Sequence, residues 1–402
     1  MDKVNIVITG RRNTGKSSLI NSLLGQEKAI VSDVAGTTTD PVKKSYEIPG
    51  FASVIFTDTA GIDDEGPLGR QRIEKSLQAV RLSDTAILVF TGNDFGTAEE
   101  KLAEELRKYE IPFLIVHNKS DLSPLTPGLR EELEHRYKVQ VVDFSAHGSD
   151  PQILIDSLKT TVSLPENRSL ISSLVRPGDI IMLVTPIDSE APAGRIILPQ
   201  VQMIRDVLNN KCINIVLQPE EITGFLERTR ITPSLVITDS QAFGKVARLI
   251  PDSIPLTSFS IVLAHHKGNF GHYLAGTTHI GQLRDGDRIL MLESCSHHVS
   301  CEDIGRVKIP ALIRKHTGKQ LEFDFIAGLD QIKRPITDYA LVIQCGGCMI
   351  TTRQLRNRLR PVIDAGIPVS NYGMTIAWVQ GIFERTTAPF IYPNKYLLIP
   401  FS

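Results

Sequence analysis

The chain has 402 residues, 42% hydrophobic and 22% charged, with a formal net charge of −1. That length exceeds what one hydrophobic core organises, so two or three domains are expected, each with enough apolar residues to bury a core. Near-neutrality argues against a broad electrostatic footprint for nucleic acid, five cysteines exclude a disulfide framework, and no apolar run approaches the ~18 residues of a membrane span.

The opening stretch KVNIVITG reads as a strand and not as a basic and apolar leader, which makes the cytoplasm the expected compartment. From Val4 to about Leu158, apolar stretches (VNIVIT, SVIFTD, TAILVF, PFLIVHN) alternate with helical ones such as SSLINSLLG and AEEKLAEELRKY. That alternation is the pattern of an α/β domain with a mostly parallel sheet, assigned to residues 1–165. After the polar stretch SLPENRSL, a second strand and helix series over 172–264 reads as a small α/β domain. Its helical stretch carries Ile196, Ile197, Val201, Ile204, Val207 and Leu208 on a face that packs either in its own core or against another subunit. Residues 265–402 form a third α/β domain, rich in His and Gly and holding four of the five cysteines. No internal repeat is expected.

GRRNTGKS, from Gly10 to Ser17, matches G-x-x-x-x-G-K-S between a strand and a helix, the context that a phosphate-binding loop requires. Main-chain N–H groups of Gly10, Asn13, Thr14, Gly15, Lys16, Ser17 and Ser18 are expected around phosphate. Lys16 would reach the β and γ phosphates and the Ser17 hydroxyl would ligate Mg2+. DTAG ends the strand SVIFT, so Asp58 is expected in the magnesium shell and the Gly61 N–H at the γ-phosphate. AGTTTD lies between these motifs, and Thr37 or, by preference, Thr38 is expected to close on the metal. NKSD supplies Asn118, Lys119 and Asp121, whose carboxylate suits the two donors of guanine and so selects GTP over ATP. SAH places Ser145, Ala146 and His147 in a last base-contacting loop.

This set of motifs resembles the GTPases of the TrmE and Era class over the first 160 residues or so. Two departures from a Ras-like site stand out. Ile62 follows DTAG and cannot orient a water molecule, so slow hydrolysis is expected unless another group assists. Asn13 occupies the position at which potassium-dependent members of the class bind K+, which implies potassium stimulation. Asp64 and Glu65 are candidate water-positioning groups, although a solvated loop is the ordinary role of acids there.

LVIQCGGCMI holds Cys345 and Cys348 two residues apart, and ESCSHHVSCEDIGR about fifty residues upstream adds Cys295, His297, His298 and Cys301. Three thiolates and a fourth ligand fit a closed zinc site or a 4Fe-4S cluster with one variable position. A disulfide switch between Cys345 and Cys348 would leave the upstream ligands unexplained. In the following TTRQLRNRLR, Thr351 or Thr352 is expected to cap a helix bearing Arg353, Arg356, Arg358 and Arg360. That face is either solvated or, through the helix start and Arg353, directed at an anionic cofactor. HHKGNFGHYLAGTTHI reads as a glycine-rich loop in which His265, His266, His272 and His279 line the same pocket or serve turns and core hydrogen bonds.

A TrmE-like domain, a small α/β domain, then C-x-H-H and C-G-G-C-M together resemble the HydF family, the maturation GTPase of FeFe-hydrogenase, over the whole chain. The resemblance implies a dimerisation domain at 172–264 and an iron-sulfur domain at 265–402. It further implies a 4Fe-4S cluster on Cys295, Cys345 and Cys348, and a homodimer that carries a di-iron precursor to the hydrogenase. Partner maturases of the radical-SAM class are implied, with no nucleic acid and no membrane. Gln344 stands where that family often has His and is a poor iron ligand, so the fourth position is either open to solvent or held by His297 or Glu302, with His297 and His298 otherwise hydrogen-bonding around the cluster and Cys301 a buried or unused thiol. The alternatives are an RNA-associated TrmE/Era-like GTPase with a zinc-stabilised module, and a GTPase-coupled thiol oxidoreductase using Cys345 and Cys348.

Overall fold

Period-two alternation sorts the apolar residues of β1 (Val4–Gly10) into two cores: Ile6 and Ile8 meet Leu19, Phe56 and Leu154, while Val7 meets Val80, Leu88 and Leu102. A strand apolar on both faces needs cover on both, which is the condition for a parallel sheet between helices. The computed structural model describes residues 3–25, 33–34, 41–49, 51–64, 66–162, 169–187, 196–294 and 303–393, in two compact units, Met1–Glu166 and Asn167–Ser402. In the first unit β1 is joined by β2 (Asp33–Val34), β3 (Val42–Ile48), β4 (Ala52–Asp58), β5 (Thr85–Thr91), β6 (Phe113–Asn118) and β7 (Val141–Asp143). Their spatial order is β2-β3-β4-β1-β5-β6-β7, parallel from β4 to β7 and antiparallel at β2 and β3. β1 has β4 on one side and β5 on the other, so the sheet switches direction at the carboxyl end of β1, where such sheets open a crevice.

The second unit contains two four-stranded parallel sheets. One holds β8 (Ile180–Val184), β9 (Ile213–Leu217), β10 (Leu235–Thr238) and β11 (Leu256–Ser258) in the order β11-β10-β8-β9. The other holds β12 (Arg288–Leu292), β13 (Glu322–Ile326), β14 (Leu341–Gln344) and β15 (Val369–Asn371) in the order β13-β12-β14-β15. Numbered from its own first strand, each reads 2-1-3-4. The unit therefore contains the same strand order twice, a structural repeat where the sequence led to the expectation of none.

The two copies agree in detail. RPGD at 176–179 and RDGD at 284–287 form the same turn: the Arg176 N–H donates to Asp179 Oδ2 and the Arg284 N–H to Asp287 Oδ2, both at 2.7 Å. Gly178 and Gly286 hold φ of 93° and 85° there, a conformation that favours glycine. The repeat is hard to see in sequence because turn residues must keep their identity while strand interiors need only remain apolar. The connection from β10 to β11 has 17 residues (239–255) and that from β14 to β15 has 24 (345–368), so the added length falls beside Cys345 and Cys348. Helix Phe259–Lys267 links the copies, with Phe259 and Val262 in the first core and Ile261 and Ala264 in the second.

The expected glycine-rich loop over 265–280 is instead the end of that helix, helix Phe270–Thr277 and a short 3-10 turn. Gly276 sits inside the second helix because a Cβ there would lie 2.1 Å from Val369 O. His265 packs on the rings of Phe270 and Phe390 with centroids 5.0 and 4.7 Å away, and burial pushes its pKa down. These are core roles.

Candidate functional site

At Gly10 φ is 150° and a Cβ would meet Val89 O at 2.1 Å; at Gly15 φ is 85° and a Cβ would meet Asn118 Nδ2 at 2.4 Å. Only glycine fits these ends of the loop, which leads into helix Lys16–Leu24, whose N-terminus suits an anion. Arg11 anchors the loop from outside, to Glu99 Oε1 at 2.6 Å and Asp94 Oδ2 at 2.8 Å. Lys16 is buried, and its ammonium donates to Gly10 O at 3.2 Å and Arg11 O at 2.6 Å, so it lies along the loop it is expected to serve. Burial lowers its pKa against the opposing pull of Asp58, Asp63 and Asp64.

Asp58 ends β4, and its Oδ2 accepts from the Ser17 hydroxyl at 2.5 Å. Its Oδ1 is buried without a hydrogen-bond partner among the described residues, and burial raises the carboxyl pKa against Ser17, Lys16 and Lys44. An orphaned carboxylate oxygen beside a hydroxyl at a helix start fits Mg2+ or its bound water. Gly61 lies against the loop, where a Cβ would come within 2.7 Å of Arg12 N. The Arg12 N–H donates to Asp63 Oδ1 at 2.6 Å, a contact the sequence did not suggest. Asp64 faces Arg12 and Arg72 at 3.9 and 4.0 Å, the loose pairs of a surface loop. Thr37, Thr38 and Glu65 lie outside the described residues.

Asn118 joins three loops: its Nδ2 donates to Thr14 O at 2.9 Å and its Oδ1 accepts the Ala146 N–H at 3.2 Å. Lys119 Nζ donates to Asn13 O at 2.8 Å, and the Ser145 hydroxyl holds Asp121 Oδ1 at 2.6 Å. The residues expected at the base are thus gathered around the phosphate loop. Asn13 is exposed with φ of 60°, and Ser18 stands in the first helical turn.

In the second unit β13 and β14 flank β12, so this sheet switches direction between β12 and β14. Ser294 and Cys345 emerge there side by side. The Cys345 sulfur accepts the Ser294 N–H at 3.1 Å and Gln344 Nε2–H at 3.4 Å, and its S–H donates to Ser294 Oγ at 3.0 Å. A thiolate would retain both N–H donors, so the site suits a sulfur-ligated metal group. Gly347, with φ of 69°, turns the chain to Cys348, whose thiol is pushed up to about 11 by burial and then by Cys345. Both thiols are free and half-buried. Cys295, His297, His298, Cys301 and Glu302 lie outside the described residues, among which no group of three His, Cys, Asp or Glu is placed to hold a metal.

Thr351 caps helix Thr352–Asp364, with its hydroxyl accepting from Gln354 N. The arginine that turns inward from this helix is Arg358. Its Nη1–H donates to Glu293 O at 2.8 Å and its Nη2–H to Ile326 O at 3.1 Å. Lys267 is also buried, donating to Gly347 O at 3.1 Å and Ile350 O at 2.9 Å. Sequence reasoning missed both. The signal for Arg358 was its place among Leu355, Leu359 and Val362, the apolar stripe of the helix.

The helical face noted between 196 and 208 divides. Met203 and Val207 join the core of the first copy, while Ile196, Leu198, Val201 and Leu208 are 41–57% exposed. Alongside runs β9, the edge strand, with Ile213 and Val216 exposed as well. Among the described residues no helix is long and apolar enough to cross a membrane.

Residues 5–119 match the family model described as 50S ribosome-binding GTPase, 170–268 the hydrogen maturase F dimerization domain, and 271–389 the hydrogen maturase F tetramerization domain. GTPase Der of Wolinella succinogenes is 38% identical over 141 residues, 34% of this chain and 30% of its own. The tRNA modification GTPase MnmE of Laribacter hongkongensis is 39% identical over 146 residues, 36% and 31% of the two chains. This chain therefore spans about a third of the length of these curated relatives. The G domain of the T. maritima FeoB iron transporter is 21% identical, with 39% of this chain and 96% of that one covered and a TM-score of 0.32. With two hydrogen maturase F domains adjoining across the second unit, behind a GTPase domain, the chain belongs to the hydrogen maturase F (HydF) family.

Proposed function

We propose that the protein hydrolyses GTP and acts as a scaffold that binds a 4Fe-4S cluster and delivers the di-iron precursor of the active site to apo FeFe-hydrogenase. The observation that carries this reading is the pairing of Ser294 N–H with the Cys345 sulfur at the switch point of a HydF domain, one residue before Cys295. Cys295, Cys345 and Cys348 would hold the cluster and His297 or Glu302 the fourth position, from which an incoming precursor could displace a labile ligand. The cluster, when bound, would supply that exchangeable iron site. Gln344 supports the sulfur through its Nε2–H and leaves the fourth position to another group.

At the nucleotide site Lys16 would pair the β and γ phosphates, Ser17 and Thr38 would hold Mg2+ with Asp58 behind them, and the Gly61 N–H would meet the γ-phosphate. The metal would neutralise phosphate charge. Asp121 and Asn118 would bind guanine, with Ser145, Ala146 and Lys119 framing it. Ordering of the loops bearing Thr38 and Gly61 is the step by which nucleotide would signal to partner maturases or the hydrogenase. A second copy of the chain is the proposed occupant of the exposed apolar face beside β9, in keeping with the dimerization model over 170–268. The relatives named for tRNA modification cover 29–42% of this chain, and RNA is not proposed as a partner. The cytoplasm is the proposed compartment.

Potassium near Asn13 is proposed to stimulate hydrolysis; turnover measured in KCl should exceed that in NaCl, and equal rates would remove the idea. The cluster is tested by anaerobic reconstitution with iron and sulfide, followed by EPR of the reduced protein. A 4Fe-4S signal is expected in wild type, lost in Cys295→Ser and Cys345→Ser, with shifted g-values in Gln344→His. Stoichiometric zinc and no cluster would overturn the carrier reading and leave the GTPase standing.

A further inference from the structure

We infer that Arg358 and Lys267 are two buried cations that balance the anionic, thiolate-bound group at Cys345 and Cys348, and so set its retention and reduction potential. This rests on the cluster reading above. Arg358 is 7% exposed, its two hydrogen bonds go to main-chain carbonyls, and its Nε is buried with no partner among the described residues. The nearby Glu293 carboxylate is engaged by Arg306 at 2.8 Å. A guanidinium held out of water without a directly paired anion is costly, and within its electrostatic reach the Cys345 thiol comes first, ahead of Tyr372, Asp330 and Glu293. Lys267, 4% exposed, grips the carbonyls of Gly347 and Ile350, in the loop that carries both thiols.

The repeated strand order supplies the control. Counting from the last strand of each copy pairs Leu256 with Val369, and hence Val246 with Leu359, both buried, Lys245 with Arg358, and Lys267 with Gln380. Lys245 is 45% exposed and forms a surface pair with Glu220. Gln380, which is neutral, lies against Gly244 in the first copy. The same sheet, turns and strand order thus form in the first copy without a buried cation at either place. The fold does not require these charges; the copy that bears the thiols has them.

A positive charge in a low-dielectric site favours the more negative, reduced form of a cluster, so it raises the potential. The test uses reconstituted full-length protein in an EPR-monitored redox titration, comparing wild type with Arg358→Gln, Lys267→Gln and Arg358→Lys. Each Gln variant should show a roughly tenfold lower ratio of reduced to oxidised cluster at fixed potential, about 59 mV for one electron. It should also lose iron faster to a chelator, while Arg358→Lys stays near wild type.

An unchanged midpoint at wild-type iron content overturns the inference, as does an Arg358→Lys shift as large as that of Arg358→Gln. A Gln variant whose apo form unfolds at the wild-type temperature but takes up no iron supports it. Loss of folding in both Arg358 variants assigns that side chain to the fold and overturns it. Wild type without a 4Fe-4S signal would instead refute the cluster reading itself, which separates the two failures.

Discussion

Asp121 is fixed by one oxygen: the Ser145 hydroxyl donates to Oδ1, which orients the carboxylate before any nucleotide arrives. Its remaining acceptor capacity matches the ring N–H and exocyclic amine of guanine. In Asp121→Asn an amide NH2 would face at least one of those donors, and charged hydrogen bonds of about 1.5–3 kcal/mol each would be lost. Affinity for GTP should fall roughly a hundredfold in fluorescent-nucleotide titrations. Xanthosine triphosphate, which offers a carbonyl in place of the amine, should gain. An unchanged GTP affinity would remove Asp121 from the base site. The sequence proposes this residue because a carboxylate in NKSD after a strand suits the two donors of guanine. Arg358 and Lys267 were not legible there, because whether a charge is buried is decided by residues far away in sequence, here Glu293 and Ile326 for the first and the Gly347 loop for the second.

Among elements, β1 and the phosphate loop could be read directly, since a both-faces-apolar strand followed by G-x-x-x-x-G-K-S leaves few alternatives. Helix Phe270–Thr277 was hidden by its glycines, of which Gly276 serves close approach to β15 and not a loop. The face between 196 and 208 was legible as apolar but not as to what covers it, because periodicity does not distinguish a core from an interface. The structure sends Met203 and Val207 inward and Val201 and Leu208 outward. Val201→Glu together with Leu208→Glu would place two carboxylates in the proposed dimer contact, and several kcal/mol of desolvation should weaken association at least a hundredfold. Light scattering should report the smaller mass, with circular dichroism unchanged. A mass equal to that of wild type would mean that this face is not the contact, and Glu at the exposed Leu122 of the first unit serves as the control.

At the scale of the molecule, each unit has apolar cores of its own among the described residues. The two cores of the first unit draw on residues between Val4 and Val162, and the three of the second begin at Leu170. A unit with its own core can unfold by its own transition, so urea unfolding should show two steps. GTP with Mg2+ at a hundred times its Kd should stabilise the first unit by about 2.7 kcal/mol, and cluster loading should move only the step of the second. One transition shifted by both ligands would show that the units unfold together. A second step that responds to GTP while remaining separate would measure, in free energy, how strongly the nucleotide speaks to the second unit, because linkage requires that coupling to be the same in both directions.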